Sequence, residues 1–193
     1  MPAYREVEIK FRIADIDAVT RQLKKAGFRH LTRRTLEHNT LYDLPGMVLR
    51  NRGELLRLRK YGAAWILTHK ARASYGRHKS RVETETRIDD GRKLDGILRA
   101  LGFVPTFVYE KFRSEWSDDH GQVVLDETPI GDFGEIEGSA RWIDATAKKL
   151  GVAHADYITA SYAGLFEEWK LRSSSNANNM TFKDVRSGKQ RRS

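Results

Sequence analysis

Glu6, Glu8, Lys10 and Arg12 alternate without a break with Val7, Ile9, Phe11 and Ile13. Successive side chains of a strand point to opposite faces, so one face of this segment carries two carboxylates and then two cations, and the other is wholly apolar. Taken alone, this reads as an antiparallel strand with one solvated face. An acid-x-acid-x-base row is also what a site needs if it holds a divalent metal beside a polyanion, since carboxylates ligate the ion and the lysine meets the anionic oxygens.

The same alternation recurs along the chain. Arg57 and Arg59 share a face, and Lys70 ends the next period-two segment after a turn at Gly62. Arg81, Glu83, Glu85 and Arg87 align, as do Tyr109, Lys111, Arg113 and Glu115, opposite Val108, Phe112 and Trp116. Another segment ends on Asp126, and Glu135 and Glu137 follow Gly131 and Gly134. Helical spacing appears after Asp15, a capping residue, at Ile16, Val19, Leu23 and Ala26, with Gly27 as the stop. It reappears at Leu94, Ile97, Leu98 and Leu101 before Gly102, at about 140–150, and from Asp156 to about Leu171. Residues 7–28 and 82–103 share eight identities in 22 positions without a gap, which predicts two halves of similar structure.

Helices with apolar stripes must cover something, and the apolar strand faces are the large candidates. If they cover the outside of a curved antiparallel sheet, the charged faces turn inward and line a barrel. Lys10, Arg57, Arg59, Lys70, Arg81, Lys111 and Arg113 crowded in one lumen would repel when empty, at roughly 4 kcal/mol per pair at 4 Å and an effective dielectric near 20. An anion is therefore expected there. Glu6, Glu8, Glu83, Glu85, Asp126, Glu135 and Glu137 offset part of the charge, and their grouping predicts Mg²⁺ or Mn²⁺ held by oxygen ligands. A triphosphate with its metal suits such a mixture, because arginine forks clamp phosphate oxygens and lysines act as point charges.

The chain has 193 residues, a length for one domain, and no cysteine, which excludes disulfides and thiolate metal sites. It has no apolar run long enough to span a bilayer and no apolar leader core, so it reads as soluble and cytoplasmic, with no membrane partner. The formal net charge is +9, but residues 172–193 hold six bases and one acid and so contribute +5 of it. That polar stretch is expected to be a disordered tail outside a catalytic domain of residues 1–171, able at most to touch nucleic acid weakly and without specificity. The six histidines share no ligand spacing, and no Walker A, GxGxxG or G-x-S-x-G element occurs. Nothing in the pattern distinguishes a monomer from a homodimer.

At these residues the chain resembles the CYTH superfamily of triphosphate tunnel metalloenzymes, which includes class IV adenylyl cyclases, thiamine triphosphatases and inorganic triphosphatases. The resemblance runs from about Glu6 to Leu165. It rests on Glu6-x-Glu8-x-Lys10, Arg57-x-Arg59, Lys70, Arg81-x-Glu83-x-Glu85, Glu110-Lys111-x-Arg113-Ser114, Asp126, the stretch from Gly131 to Glu137, and Ser161-Tyr162. It implies an α+β fold: an eight-stranded antiparallel tunnel, closed or nearly so, with a charged interior and helices outside. It also implies triphosphate held by the basic residues, metal held by Glu6, Glu8 and the later acids, and Lys10 placed to activate water or stabilise the reacting phosphoryl group. Two departures concern the subfamily. Class IV cyclases resemble one another in a His-Phe pair before the first strand, absent from Met1 to Arg5. The tyrosine that helps orient water in thiamine triphosphatases is matched here by Leu41, with Tyr42 pointing to the other face.

The leading expectation is a metal-dependent phosphohydrolase acting on tripolyphosphate, thiamine triphosphate or a nucleoside triphosphate. The alternative is a class IV adenylyl cyclase, in which the ribose 3′-hydroxyl attacks the α-phosphorus of ATP. A non-catalytic polyphosphate- or RNA-binding module ranks third, because binding alone does not require so many paired carboxylates.

Overall fold

The strands form one antiparallel sheet that closes on itself. A computed structural model describes residues 4–189. Its strands are β1 (Tyr4–Ile13), β2 (Arg29–Asp43), β3 (Leu55–Tyr61), β4 (Ala64–Lys70), β5 (Ser74–Tyr75), β6 (Lys79–Ile88), β7 (Val104–Ser117), β8 (Gly121–Thr128) and β9 (Gly131–Gly138). They run in the order β1-β9-β8-β7-β2-β3-β4-β6, and β6 pairs back onto β1 through Glu6 opposite Arg81 and Glu8 opposite Lys79. The two-residue β5 lies beyond the ring, on β6. The fold is thus α+β, an eight-stranded antiparallel barrel with one extra strand and helices outside.

The apolar strand faces turn outward under the helices. Ile9, Phe11 and Ile13 of β1 pack with Val123, Leu125 and Ile136 beneath α1 (Ile16–Lys25) and α4 (Ala140–Lys149), which bring Leu23, Ile143 and Ala147. Each such side chain contributes about 1.5–3 kcal/mol on full burial. Gly134 on β9 leaves room for the Phe11 ring, since a Cβ there would meet it at 2.1 Å. A short helix, α2 (Val48–Asn51), follows β2. The third helix, α3 (Gly91–Ala100), sets Leu98 against Tyr42 and Leu58.

The internal repeat is real in structure. Asp15 accepts from Ala18 N at 2.9 Å to start α1, and Asp90 accepts from Arg92 and Lys93 N at 3.0 and 3.1 Å to start α3. Gly27 and Gly102 end the two helices with φ of 85° and 90°, and Phe28 and Phe103 then donate back to the Leu23 and Leu98 carbonyls.

Two expectations are corrected. The last predicted helix begins at Tyr162, not Asp156: α5 spans Tyr162–Ser173, and Ser161 accepts from Gly164 N. The preceding residues form one 3-10 turn, His154–Asp156, and an extended stretch. Here β6 has left β1 after Glu8, so the Lys10 backbone bonds Ile158 in both directions at 2.8 Å instead.

The segment after Arg172 is not a disordered tail over its described length. Pairing of β7 with β8 begins only at Phe112, which leaves the outer backbone groups of Val108 and Glu110 free. Met180 takes both, at 3.0 Å each, and is fully buried with Ala177 and Val185 against Tyr109, Phe166 and Leu165. A sixth helix, α6 (Phe182–Lys189), follows. The packed unit therefore passes Leu171, and residues 190–193 lie outside the described residues. No helix among these is long and apolar enough to cross a membrane.

Candidate functional site

Inward-facing positions of the eight ring strands line one cavity of about 690 Å³. Lys10, Arg57, Arg59, Lys70, Arg81, Lys111 and Arg113 all face it, together with Glu6, Glu8, Glu83, Glu85, Glu135 and Glu137. Asp126 stands directly behind, fully buried. Leu41 faces the cavity while Tyr42 turns outward and donates to Asp95.

Two residues of the lumen escaped the sequence reading. Lys79 continues the Arg81, Glu83, Glu85 alternation by one step and donates to Glu8 at 2.6 Å. Glu37 on β2 is fully buried, within 3.5 Å of Lys111 and 3.7 Å of Arg59 and Arg113. The period-two pattern could have found Lys79. Glu37 lies in a stretch rich in polar residues on both faces, which hides the signal.

The cations are not left to repel one another, contrary to the expectation for an empty lumen. Lys70 bridges Glu6, at 2.9 Å, and Glu83, at 2.5 Å. Lys10 lies 3.0 Å from Glu8 and 3.3 Å from Glu135. Arg113 forks onto both Asp126 oxygens at 2.8 and 2.7 Å and reaches Glu135 at 2.7 Å, while Lys111 holds Asp126 at 2.9 Å. Tyr162 donates to the same Asp126 at 2.6 Å, its ring beneath the Lys111 ammonium. Arg57 and Arg59 share Glu85, at 3.3 and 3.0 Å. Arg81 instead donates to the Ala71 and Gly53 carbonyls, fastening two loops.

The acids therefore divide. Glu85 and Asp126 hold arginines and lysines in place, away from the other carboxylates. Glu6, Glu8, Glu135 and Glu137 form a group, since each of the first three raises the pKa of the last. Glu137 has no cation within 4.0 Å among the described residues. Burial first, then Glu6 and Glu8, push its carboxyl up to about 8. Burial would raise Glu8 too, but Lys10 and Lys79 outweigh it and bring Glu8 down to about 2. Burial opposes the Lys10 charge, yet Glu135 and Glu8 hold its pKa well above the ordinary value. Lys10 is thus a fixed cation, suited to stabilising charge and unsuited to taking a proton from water.

Among the described residues no three acids are close enough to hold a metal ion as they stand, because lysines sit between them. The donor chemistry nevertheless fits a hard cation. The ligand oxygens are all carboxylate, and Glu137 is crowded by two neighbours without a counter-charge.

The CYTH domain family matches residues 4–162. A protein of Methanocaldococcus jannaschii, provisionally named an adenylate cyclase, is 30% identical over 75% of this chain and 83% of its own. Adenylate cyclase CyaB of Aeromonas hydrophila is 27% identical over 84% of this chain and 89% of its own. Among solved structures, a Vibrio parahaemolyticus protein, also provisionally an adenylate cyclase, superposes with a TM-score of 0.74 at 22% identity, covering 84% of this chain and 97% of that one. A Hippeastrum protein described as revealing a dominant triphosphatase activity gives 0.61 at 22% identity, covering 84% and 95%.

Proposed function

Because the chain belongs to the CYTH domain family, we propose that its tunnel binds a triphosphate together with Mg²⁺ or Mn²⁺ and hydrolyses it. The observation that carries this reading is the gathering of Arg57, Arg59, Lys70, Lys111, Arg113 and Lys10 around one cavity beside an uncompensated carboxylate group. A triphosphate is the common small ligand whose charge matches several convergent cations, and a divalent ion is what crowded carboxylates lack.

In this reading Arg57, Arg59, Lys111 and Arg113 are prepositioned by Glu85, Glu37 and Asp126 and grip phosphate oxygens. Lys10, kept positive, stabilises charge developing on the reacting phosphoryl group. Glu6, Glu8 and Glu137, with Glu135 beside them, would hold the metal, which neutralises phosphate charge and polarises the phosphorus under attack. Glu83 stays with Lys70, and Glu85 and Asp126 serve the cations rather than the metal. Catalysis is then mainly positioning and charge stabilisation.

A second reading is cyclisation of ATP, favoured by the names of the Aeromonas and Methanocaldococcus relatives. The leucine at position 41 and the missing His-Phe pair leave both reactions compatible with the cage, and the Hippeastrum protein's activity supports hydrolysis. Incubating the protein with ATP, thiamine triphosphate and tripolyphosphate in Mg²⁺ or Mn²⁺ tests both. Orthophosphate is the expected product; cyclic AMP with pyrophosphate would select the second reading.

A further inference from the structure

One acid of the tunnel stands apart from the charge pairing. Glu115 on β7 lines the same cavity as the phosphate cage, two residues beyond Arg113, yet has no cation within 4.0 Å among the described residues. Its one hydrogen bond is accepted from the Thr32 hydroxyl at 2.6 Å. Beside it is the Tyr61 hydroxyl, buried and without a hydrogen-bond partner among the described residues. Burial first, and the Glu115 charge next, hold the Tyr61 phenol well above its ordinary pKa, so it stays neutral. Val124, directly opposite Glu115 on β8, and Ile66 of β4 add apolar wall to the same cavity.

An unpaired carboxylate has no use beside a ligand that is phosphate throughout, because it would repel the outer oxygens. It suits a ligand that changes character past its phosphates, becoming flat, apolar in body and rich in N–H donors. We infer that Glu115, Tyr61, Ile66 and Val124 form a subsite for the organic end of the substrate, an amino-bearing aromatic heterocycle esterified to the triphosphate. This rests on the triphosphate reading of the cage and adds a substrate class to it. The adenine of ATP and the aminopyrimidine of thiamine triphosphate both present the required chemistry. Glu115 would accept from the amino group, the Tyr61 hydroxyl would gain the partner it lacks, and the aliphatic walls would sandwich the ring.

The test compares kcat/KM for ATP, thiamine triphosphate and tripolyphosphate in the wild type and in the Glu115→Leu, Glu115→Gln and Tyr61→Phe variants. The wild type is expected to favour at least one ester over tripolyphosphate, and which ester it favours identifies the source of the heterocycle. Glu115→Leu should lower the ester-to-tripolyphosphate ratio by about tenfold or more, chiefly through KM, with smaller falls for the other two. Should the leucine variant not fold, the two conservative variants carry the same ratio. A ratio unchanged in the variants, or a wild type that prefers tripolyphosphate to both esters, overturns the subsite and leaves the cage standing. Failure of all three compounds to be consumed or to raise the wild-type melting temperature overturns the cage and the subsite together.

Discussion

Glu137 and Lys111 show how differently two buried charges can behave in one lumen. Burial and two neighbouring carboxylates raise Glu137 to about 8, so the folded protein binds this proton more tightly than the unfolded chain does. The metal-free protein should then lose stability as pH rises from about 4.5 towards 8, the window between the ordinary and the raised value. Glu137→Gln should flatten part of that loss, and millimolar Mg²⁺ should flatten it in the wild type. Thermal melts across pH measure both, and a pH dependence identical in the variant would separate Glu137 from the crowded group. Lys111 is opposite in kind. It is nearly fully buried between Asp126 and Glu37, both fully buried, so Lys111→Ala strips two carboxylates of a shared partner. A loss of about 3–5 kcal/mol is expected in denaturant unfolding, not the gain anticipated from relieving cation crowding. The alternation in the chain reveals which charges share a face. It does not reveal that Glu37 and Asp126 lie behind the cations and neutralise them, because that depends on which strands become neighbours across 15 to 89 residues of sequence.

At the scale of elements, local chemistry is the most legible. Asp15 and Asp90 as caps, Gly27 and Gly102 as stops, and the alternation of β1, β6 and β7 all follow from the residues themselves. What escapes is docking that answers a need elsewhere in the fold. Ile158 is extended because β1 requires a partner beyond β6, although the residues around it carry a helical apolar spacing. Met180 sits in a polar, low-complexity stretch, yet it completes the edge of β7 and fills space beside Tyr109 and Phe166. Met180→Ala should therefore cost about 2–5 kcal/mol. Cutting the chain after Arg172 should lower the melting temperature and loosen Tyr162, whose helix packs in the same cluster. A truncated protein that melts as the full chain does would return this segment to the role of a dispensable tail.

For the whole molecule, the barrel inverts the ordinary arrangement of an apolar interior and a charged exterior. Its cost is met by pairing. Eight cations, Lys10, Arg57, Arg59, Lys70, Lys79, Arg81, Lys111 and Arg113, share the lumen with seven lining carboxylates and the buried Glu37 and Asp126. Binding a triphosphate and a metal is consequently an exchange of partners, in which lysines leave carboxylates for phosphate while the carboxylates turn to the divalent ion. Such an exchange is favourable only if both newcomers arrive, so tripolyphosphate should raise the melting temperature more with Mg²⁺ present than without it. The most direct measurement is a calorimetric titration of tripolyphosphate into the protein with Mg²⁺, repeated on folded Arg59→Ala and Lys70→Ala variants. One saturable site in the wild type, weakened at least about tenfold in each variant, is the expected result. No binding in the wild type, or equal affinity in all three proteins, would contradict the triphosphate cage.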